Sequence, residues 1–212
     1  MKKHSILGVI VLTVLLLGAF AVAHEVGVKV DGQIAPHEYQ YLYHNNELNM
    51  DLYWSLDEDE GEIYIGLAAP AHGWVAFGLR EPEEEEEEEG KIMEGVDIVI
   101  GYVKGGKLSI QDNFANAPTG HAADTSLGGT DDVLQSAGSE DDWGTVIEFA
   151  RKLDTGDSYD VAIPQVKTEV YLAYNSTADD FVSYHGRESR AEVELDFYSG
   201  HVNDFEEEEH EH

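Results

Sequence analysis

The sequence predicts an all-β fold, an antiparallel β-sandwich of the immunoglobulin-like, two-sheet kind. Apolar residues alternate with polar residues along many short segments, as they do in half-buried strands. Clusters of Gly, Asn and Asp separate these segments, and the chain contains 21 Gly. No long amphipathic stretch has a convincing helical period. Regularly spaced short strands with turn-forming residues between them are typical of a sandwich.

The predicted strands begin with Val26, Val28 and Val30, which alternate before an Asp-Gly turn. Leu48 to Leu56 then alternate over five apolar positions, and Met50 is assigned to the core with them. Val96 to Val103 is almost continuously apolar, which is typical of a strand buried on both faces. Further strands are predicted at residues 63–65, 74–79, 145–149, 170–174 and 191–197.

The first 23 residues have the pattern of a signal peptide. Lys2 and Lys3 precede an apolar stretch at residues 6–20, and Ala21-Val22-Ala23 places small residues at a cleavage site. We therefore expect an exported protein, either extracellular, periplasmic or on the cell surface, whose sandwich domain spans residues 24–200. The alternative is an uncleaved segment that anchors the protein in the membrane.

The chain is strongly acidic, with 12 Lys and Arg against 44 Asp and Glu and a net charge of −32. This charge argues against a nucleic-acid partner and against an anionic membrane surface, since both require clustered Lys and Arg. Two segments concentrate the charge, an acidic loop insertion at residues 81–90 and a tail at residues 201–212. Both are expected to be solvated and disordered; the alternative is that their Glu runs capture cations.

Few residue patterns indicate chemistry. The chain has no Cys, which excludes disulfides, thiolate-bound zinc and covalently attached haem. It contains no Gly-x-Ser-x-Gly motif, no phosphate-binding P-loop and no His-Glu-x-x-His motif. We therefore expect the domain not to be an enzyme by itself. Its His residues are scattered, so a metal site would need ligands from distant segments.

Three motifs in a fixed order give the most specific signal. Residues 73–78 are Gly-Trp-Val-Ala-Phe-Gly, residues 93–97 are Met-Glu-Gly-Val-Asp, and residues 184–186 are Tyr-His-Gly. Their order and spacing resemble those of the DOMON domain. The resemblance is to its haem-binding branch, which includes the cytochrome part of cellobiose dehydrogenase and the haem subunit of ethylbenzene dehydrogenase. It covers about residues 26–198.

The resemblance implies an exported b-type cytochrome domain that relays single electrons through a non-covalent haem b. Met93 and His185 match the positions of the two axial ligands of the haem iron. Trp74 and Tyr184 would line the haem slot, and Asp97 would hydrogen-bond the loop that presents Met93. The partner would be a redox protein that the sequence does not identify, and any catalysis would belong to that partner.

Other interpretations of the same residues remain open. Some DOMON domains bind no haem, so the chain could instead be a binding module for a sugar, another small ligand or a cation at the cell surface. A structural surface protein is a third possibility. In these cases Met93 would cover an edge of the core, His185 would lie on the surface and Asp97 would be an ordinary turn carboxylate.

Overall fold

The computed structural model describes residues 27–81 and 93–204. The predicted signal segment, Val26, the Glu run at residues 83–89 and residues 205–212 lie outside the described residues. The predictions made for those segments therefore stay predictions.

Twelve strands and one short helix make up the described chain. They are β1 (Tyr41–Asn45), β2 (Met50–Asp57), β3 (Glu62–Ala69), β4 (Val75–Leu79), β5 (Asp97–Lys104), β6 (Lys107–Ala117), β7 (Gly120–Ala123), α1 (Asp124–Leu127), β8 (Gln135–Glu140), β9 (Thr145–Lys152), β10 (Thr168–Tyr174), β11 (Arg190–Asp196) and β12 (His201–Asp204). Among these residues, no helix is long and apolar enough to cross a lipid bilayer.

The strands form two antiparallel sheets. One has five strands in the order β1-β2-β3-β9-β8, and the other has seven in the order β12-β11-β10-β4-β5-β6-β7. The predicted antiparallel β-sandwich is confirmed. Because neighbouring strands are mostly joined by hairpins, the sheets need few long connections.

The main core lies between the inner faces of the two sheets. Met50, Leu52 and Trp54 alternate along β2 and are fully buried there, which confirms the predicted core position of Met50. Phe77 on β4 packs in the same core and is 1% exposed. Trp54 also donates a hydrogen bond from Nε1 to the carbonyl of Phe197 at 3.0 Å, so its polar group is satisfied in the interior.

A second apolar cluster covers the outer face of the seven-stranded sheet. Its buried members are Trp74, Ala76, Val96, Ile98, Ile100 and Ala115. All five residues of β4 and seven of the eight in β5 are buried or half-buried. These two strands therefore carry apolar side chains on both faces, as the continuous apolar run at residues 96–103 predicts.

The prediction of a strand at the three valines is wrong for its described part, since residues 27–30 have no regular structure. Residues 31–33, which follow, are held by hydrogen bonds to a side chain and not by pairing with a neighbouring strand. The Glu148 carboxylate accepts hydrogen bonds from the backbone N–H groups of Asp31, Gly32 and Gln33, at 3.2, 2.6 and 3.1 Å. Hydrogen bonds of this kind satisfy the backbone without requiring an extended pairing.

Five strands were not predicted. β1, β6, β7, β8 and β12 are edge strands or carry polar residues on their inner face, so their alternation is weak. β12 lies within the range assigned to the tail, yet it pairs with β11 and its Val202 packs against the main core. The ordered chain therefore continues past residue 200.

Replacing Phe77 with Ala tests the core between the sheets. The variant should lose about 3–5 kcal/mol of unfolding free energy, because a buried ring is removed and the tight packing closes the cavity only partly. Denaturant unfolding measures the loss. Val182→Ala is the control, since Val182 is 86% exposed and its truncation should leave stability within about 0.5 kcal/mol. Equal losses in the two variants would contradict the assignment.

Candidate functional site

A cavity of about 440 Å³ lies on the outer face of the seven-stranded sheet. Its floor is formed by alternate residues of the two central strands, among them Ala76 and Gly78 from β4 and Ile98 and Ile100 from β5. Neighbouring residues of β4, such as Phe77, point the other way into the main core. We refer to this space as the outer cavity.

Met93 reaches the outer cavity from the turn that leads into β5. The N–H of Val96 donates to the carbonyl of Met93 at 3.2 Å, which closes a four-residue turn. Gly95 stands at the third position of this turn with φ 87°, a conformation that favours glycine. The Met93 side chain packs on the outer apolar cluster and lines the cavity. The Met-x-Gly motif is thus explained by the turn that presents the thioether.

His185 reaches the same cavity from the loop between β10 and β11. Its Nδ1 contacts the carbonyl of Gly186. Because a carbonyl oxygen can only accept, Nδ1 carries the proton and Nε2 has a lone pair that can bind a metal. Burial lowers the pKa of His185, which keeps the imidazole neutral, as a metal ligand must be.

Trp74 holds the loop that carries His185. Its Nε1 donates to the carbonyl of Ser183 at 3.0 Å, and its ring meets the His185 ring edge-on with the centroids 6.3 Å apart. A Cβ added to Gly73 would lie 2.5 Å from the backbone nitrogen of Ala178. Gly73 therefore lets this loop pack closely on the residues just before β4, and the hydrogen bond from Trp74 fixes the loop there.

Tyr184 lies at the edge of the outer cavity. Its ring centroid is 4.4 Å from that of His185, yet the residue is 63% exposed. Asn175 holds this part of the loop by donating from Nδ2 to the Tyr184 carbonyl at 2.8 Å. Of the residues predicted from the sequence, four are thus brought to one cavity, namely Met93, His185, Trp74 and Tyr184.

Asp97 does not line this cavity. It was expected to hydrogen-bond the loop that presents Met93, but its partners among the described residues lie elsewhere. Val96 and Ile98 face the outer cavity, so the alternation of the strand turns Asp97 to the inner face. There its Oδ2 accepts from Arg151 at 2.6 Å and from the backbone N–H of Val161 at 2.9 Å. Asp97 therefore joins the two sheets through a buried ion pair.

Three further carboxylates surround this ion pair. Oxygens of Asp97, Asp112 and Asp160 all lie within 4.8 Å of one another. Asp112 accepts from the backbone N–H of Asp132 at 2.8 Å, and Asp160 lies 3.5 Å from the Arg151 guanidinium. Asp124, at the start of α1, is fully buried nearby. We call Asp97, Asp112, Asp124 and Asp160 the carboxylate cluster.

Burial and mutual repulsion change how the cluster titrates. Burial raises the pKa of Asp112 to about 8, that of Asp124 to about 7 and that of Asp160 to about 6. The charge of Asp160 raises the pKa values of Asp112 and Asp124 further, while Arg151 opposes the rise in all three. One guanidinium does not offset so many buried carboxylates.

His121 is a cavity residue that the sequence analysis did not single out. It lies on β7, lines the outer cavity, and its Nδ1 has no hydrogen-bond partner within the described part of the chain. Burial lowers its pKa. Nothing in the local sequence marks it, because its position depends on how the edge strand β7 pairs with β6.

Comparisons with known proteins agree with this geometry. The family model of the DOMON domain matches residues 46–175. Among solved structures, the chain is similar to the cytochrome b domain of pyranose dehydrogenase from Coprinopsis cinerea, with a TM-score of 0.53 and 18% sequence identity. The match covers 75% of this chain and 82% of that one. At this level of identity the similarity shows a shared fold.

The carboxylate cluster should make stability depend on pH in metal-free buffer. Asp112, Asp124 and Asp160 keep protons in the folded state up to a pH of about 8, 7 and 6, whereas their ordinary pKa is 3.8. The folded state then binds more protons than the unfolded state, so these groups lower the unfolding free energy as pH rises from about 4 to about 8. His121 and His185, whose pKa values are lowered, act in the opposite direction below about pH 6.5.

The difference between wild type and Asp112→Asn isolates the contribution of Asp112, because the contributions of the His residues cancel. Relative to wild type, the variant should gain stability steadily from about pH 4 to about pH 8, and urea unfolding across this range measures it. Asp142→Asn, at an exposed position, should show no such trend. A constant difference between Asp112→Asn and wild type across the range would contradict the prediction.

Proposed function

The chain belongs to the DOMON domain family, and from this we propose that it is an electron-transfer domain that binds haem b non-covalently. Met93 and His185 would be the axial ligands of the iron. The observation that carries the proposal is that these two side chains, far apart in sequence, line one apolar cavity. Thioether and imidazole are a ligand pair found in electron-transfer cytochromes.

The residues of the outer cavity fit this cofactor. Its volume of about 440 Å³ falls in the range of cofactor sites, roughly 300–1,000 Å³. Its floor of Ala, Ile and Gly side chains suits a flat apolar ring. A Cβ added to Gly78 would lie 2.8 Å from Val96, so no larger residue fits that part of the floor. Arg190 also lines the cavity and offers a cation for the carboxylates of a haem.

The chain's own residues have distinct parts in this proposal. When bound, the haem would supply a one-electron couple, with Met93 and His185 as the residues that hold its iron. His185 offers Nε2 because the Gly186 carbonyl fixes the proton on Nδ1. Trp74 positions the His185 loop through Ser183. The outer apolar cluster excludes water from one side of the cavity.

A second candidate function rests on Tyr184. An aromatic ring that is 63% exposed at the mouth of a cavity is suited to stack on a sugar or another small ligand. In that case the domain is a non-haem binding module at the cell surface. A purified protein that stays colourless after haem addition, but binds glycans, would favour this function over electron transfer.

The location and partners of the domain are also proposals. The signal-like residues 1–23 support action outside the cytoplasm, either as a free protein or held by an uncleaved anchor. We propose that the partner is a redox protein, which would carry out any catalysis, and that the acidic surface disfavours nucleic acid and anionic membranes. The mass of the native protein tests cleavage, since retention of the first 23 residues would point to the uncleaved anchor.

Replacing each proposed ligand should give a different spectroscopic result. Met93→Leu keeps the side-chain volume but removes the sulfur, so the haem should become high-spin or its potential should fall. His185→Ala should lose most of the haem, because the imidazole is the stronger ligand, and added imidazole should restore part of the binding. Visible spectra of the oxidised and reduced proteins measure both effects.

Met50→Leu is the matched control, because Met50 is fully buried between the sheets and away from the outer cavity. Its spectrum should be that of the wild type. If Met93→Leu and His185→Ala both keep a wild-type reduced spectrum, the ligand assignment is wrong.

Trp74→Phe tests the positioning of the His185 loop. Phe keeps an aromatic ring but has no N–H to donate to the Ser183 carbonyl. The haem affinity should therefore fall by about 3- to 10-fold, which is the net contribution of one hydrogen bond. Haem titration followed by absorbance measures the change. Trp143→Phe is the control, since Trp143 is 48% exposed in the turn before β9 and should bind haem normally. Equal haem affinities in the two variants would contradict the proposed role of Trp74 in positioning the His185 loop.

A further inference from the structure

The carboxylate cluster has the spacing of a cation site. Asp97 on β5, Asp112 on β6 and Asp160 in the loop after β9 each offer an oxygen, and these oxygens lie within 4.8 Å of one another. A calcium ion bound at about 2.3–2.6 Å holds its ligand oxygens at separations up to about 5 Å. The three carboxylates could therefore contact one ion without large movements of the backbone.

Asp124 provides an independent observation. The residue is 0% exposed, and both of its carboxylate oxygens lack a hydrogen-bond partner among the described residues. Burial raises its pKa, and the charges of Asp160 and Asp97 raise it further, so it interacts electrostatically with these two carboxylates. A fully buried carboxylate without a partner is costly unless a proton or a cation neutralises it.

Other oxygens of the cluster are also free to bind an ion. Oδ1 of Asp97 and Oδ1 of Asp112 have no hydrogen-bond partner in the described chain, although the second oxygen of each is bonded. Each residue thus uses one oxygen to hold its position and has the other available. This division is typical of carboxylates that are oriented by the fold and bind a metal.

The charges in the cluster do not balance. Arg151 pairs with Asp97 and Asp160, and its charge lowers the pKa of Asp97, Asp112, Asp124 and Asp160. Ionising all four carboxylates leaves three negative charges without compensation in the interior. A divalent cation would reduce that excess to one.

We propose that the carboxylate cluster binds a divalent cation of the calcium type through Asp97, Asp112 and Asp160, with the buried charge of Asp124 adding to the attraction. The donors are all hard oxygens, which favour calcium over zinc or copper. The ion would tie β5 and β6 to the loop after β9, and so stabilise the sandwich. Because Asp97 faces away from the outer cavity, this site is independent of the proposed haem. None of its ligands belongs to the Glu runs at residues 83–89 and 206–209.

Thermal unfolding of the full-length purified chain tests the site. The protein is measured in EGTA, in CaCl₂, in MgCl₂ and in NaCl of matched ionic strength, all with a high NaCl background that screens weak surface binding. At a calcium concentration about 100 times the dissociation constant, we expect Tm to rise by roughly 5–10 °C. Isothermal titration should give one site per chain. An equal rise with NaCl, or no rise with calcium, would overturn the proposal.

Two variants and a control locate the effect. Asp112→Asn and Asp124→Asn keep the side-chain shape but remove a charge, so calcium should no longer raise Tm in the first variant and should raise it less in the second. In EGTA the same variants should be as stable as wild type or more stable, because a buried repulsion is removed. Asp142→Asn, which is exposed, should keep the full calcium effect. An unchanged calcium effect in Asp112→Asn would overturn the site. If a variant fails to fold, the titration of the wild type still decides.

Discussion

The rest of the structure depends on two central strands that are apolar on both faces. β4 places Val75, Phe77 and Leu79 in the core between the sheets, β5 adds Val99, and the opposite sheet covers them. The other face of the same strands carries Ala76, Ile98 and Ile100, which must also be removed from water. Among the described residues, the turn before β5, the loop after β10 and part of β7 line a cavity over that face. The residues with ligand chemistry, Met93 and His185, lie in that turn and that loop.

The alternation of β5 separates two kinds of chemistry by a single residue. Val96 and Ile98 face the outer cavity, where a neutral imidazole and a thioether meet apolar surroundings. Asp97 between them faces the interior, where it pairs with Arg151 on the opposite sheet. Breaking such a buried pair costs about 3–5 kcal/mol, since the remaining charge has no partner. The Met-x-Gly-x-Asp motif therefore combines a turn that presents a ligand with an anchor that joins the sheets.

The alternation of the sequence was sufficient to predict the sandwich, the core role of Met50 and the strands that carry the outer cavity. The motifs were sufficient to select Met93 and His185. Met93 follows β4 and His185 follows β10, which are neighbouring strands, so both side chains reach the outer cavity. Asp97 was expected to hydrogen-bond the Met93 loop, whereas its Oδ2 accepts from Arg151 and Val161 on the inner face, as the period of the strand implies. Asp112 and Asp124 could not be assigned, because their neutralisation depends on Arg151 and on loops far away in sequence. His121 was missed for the same reason, since only the pairing of β7 brings it to the cavity.

The central claim is that Met93 and His185 bind one haem iron in the outer cavity. Iron X-ray absorption of the haem-loaded protein tests it most directly, because it identifies the atoms bound to the metal. We expect a single sulfur neighbour together with nitrogen neighbours, and the sulfur signal should vanish in Met93→Leu while it persists in Met50→Leu. A spectrum with no sulfur neighbour, or a protein that retains no iron after haem addition, would contradict the account.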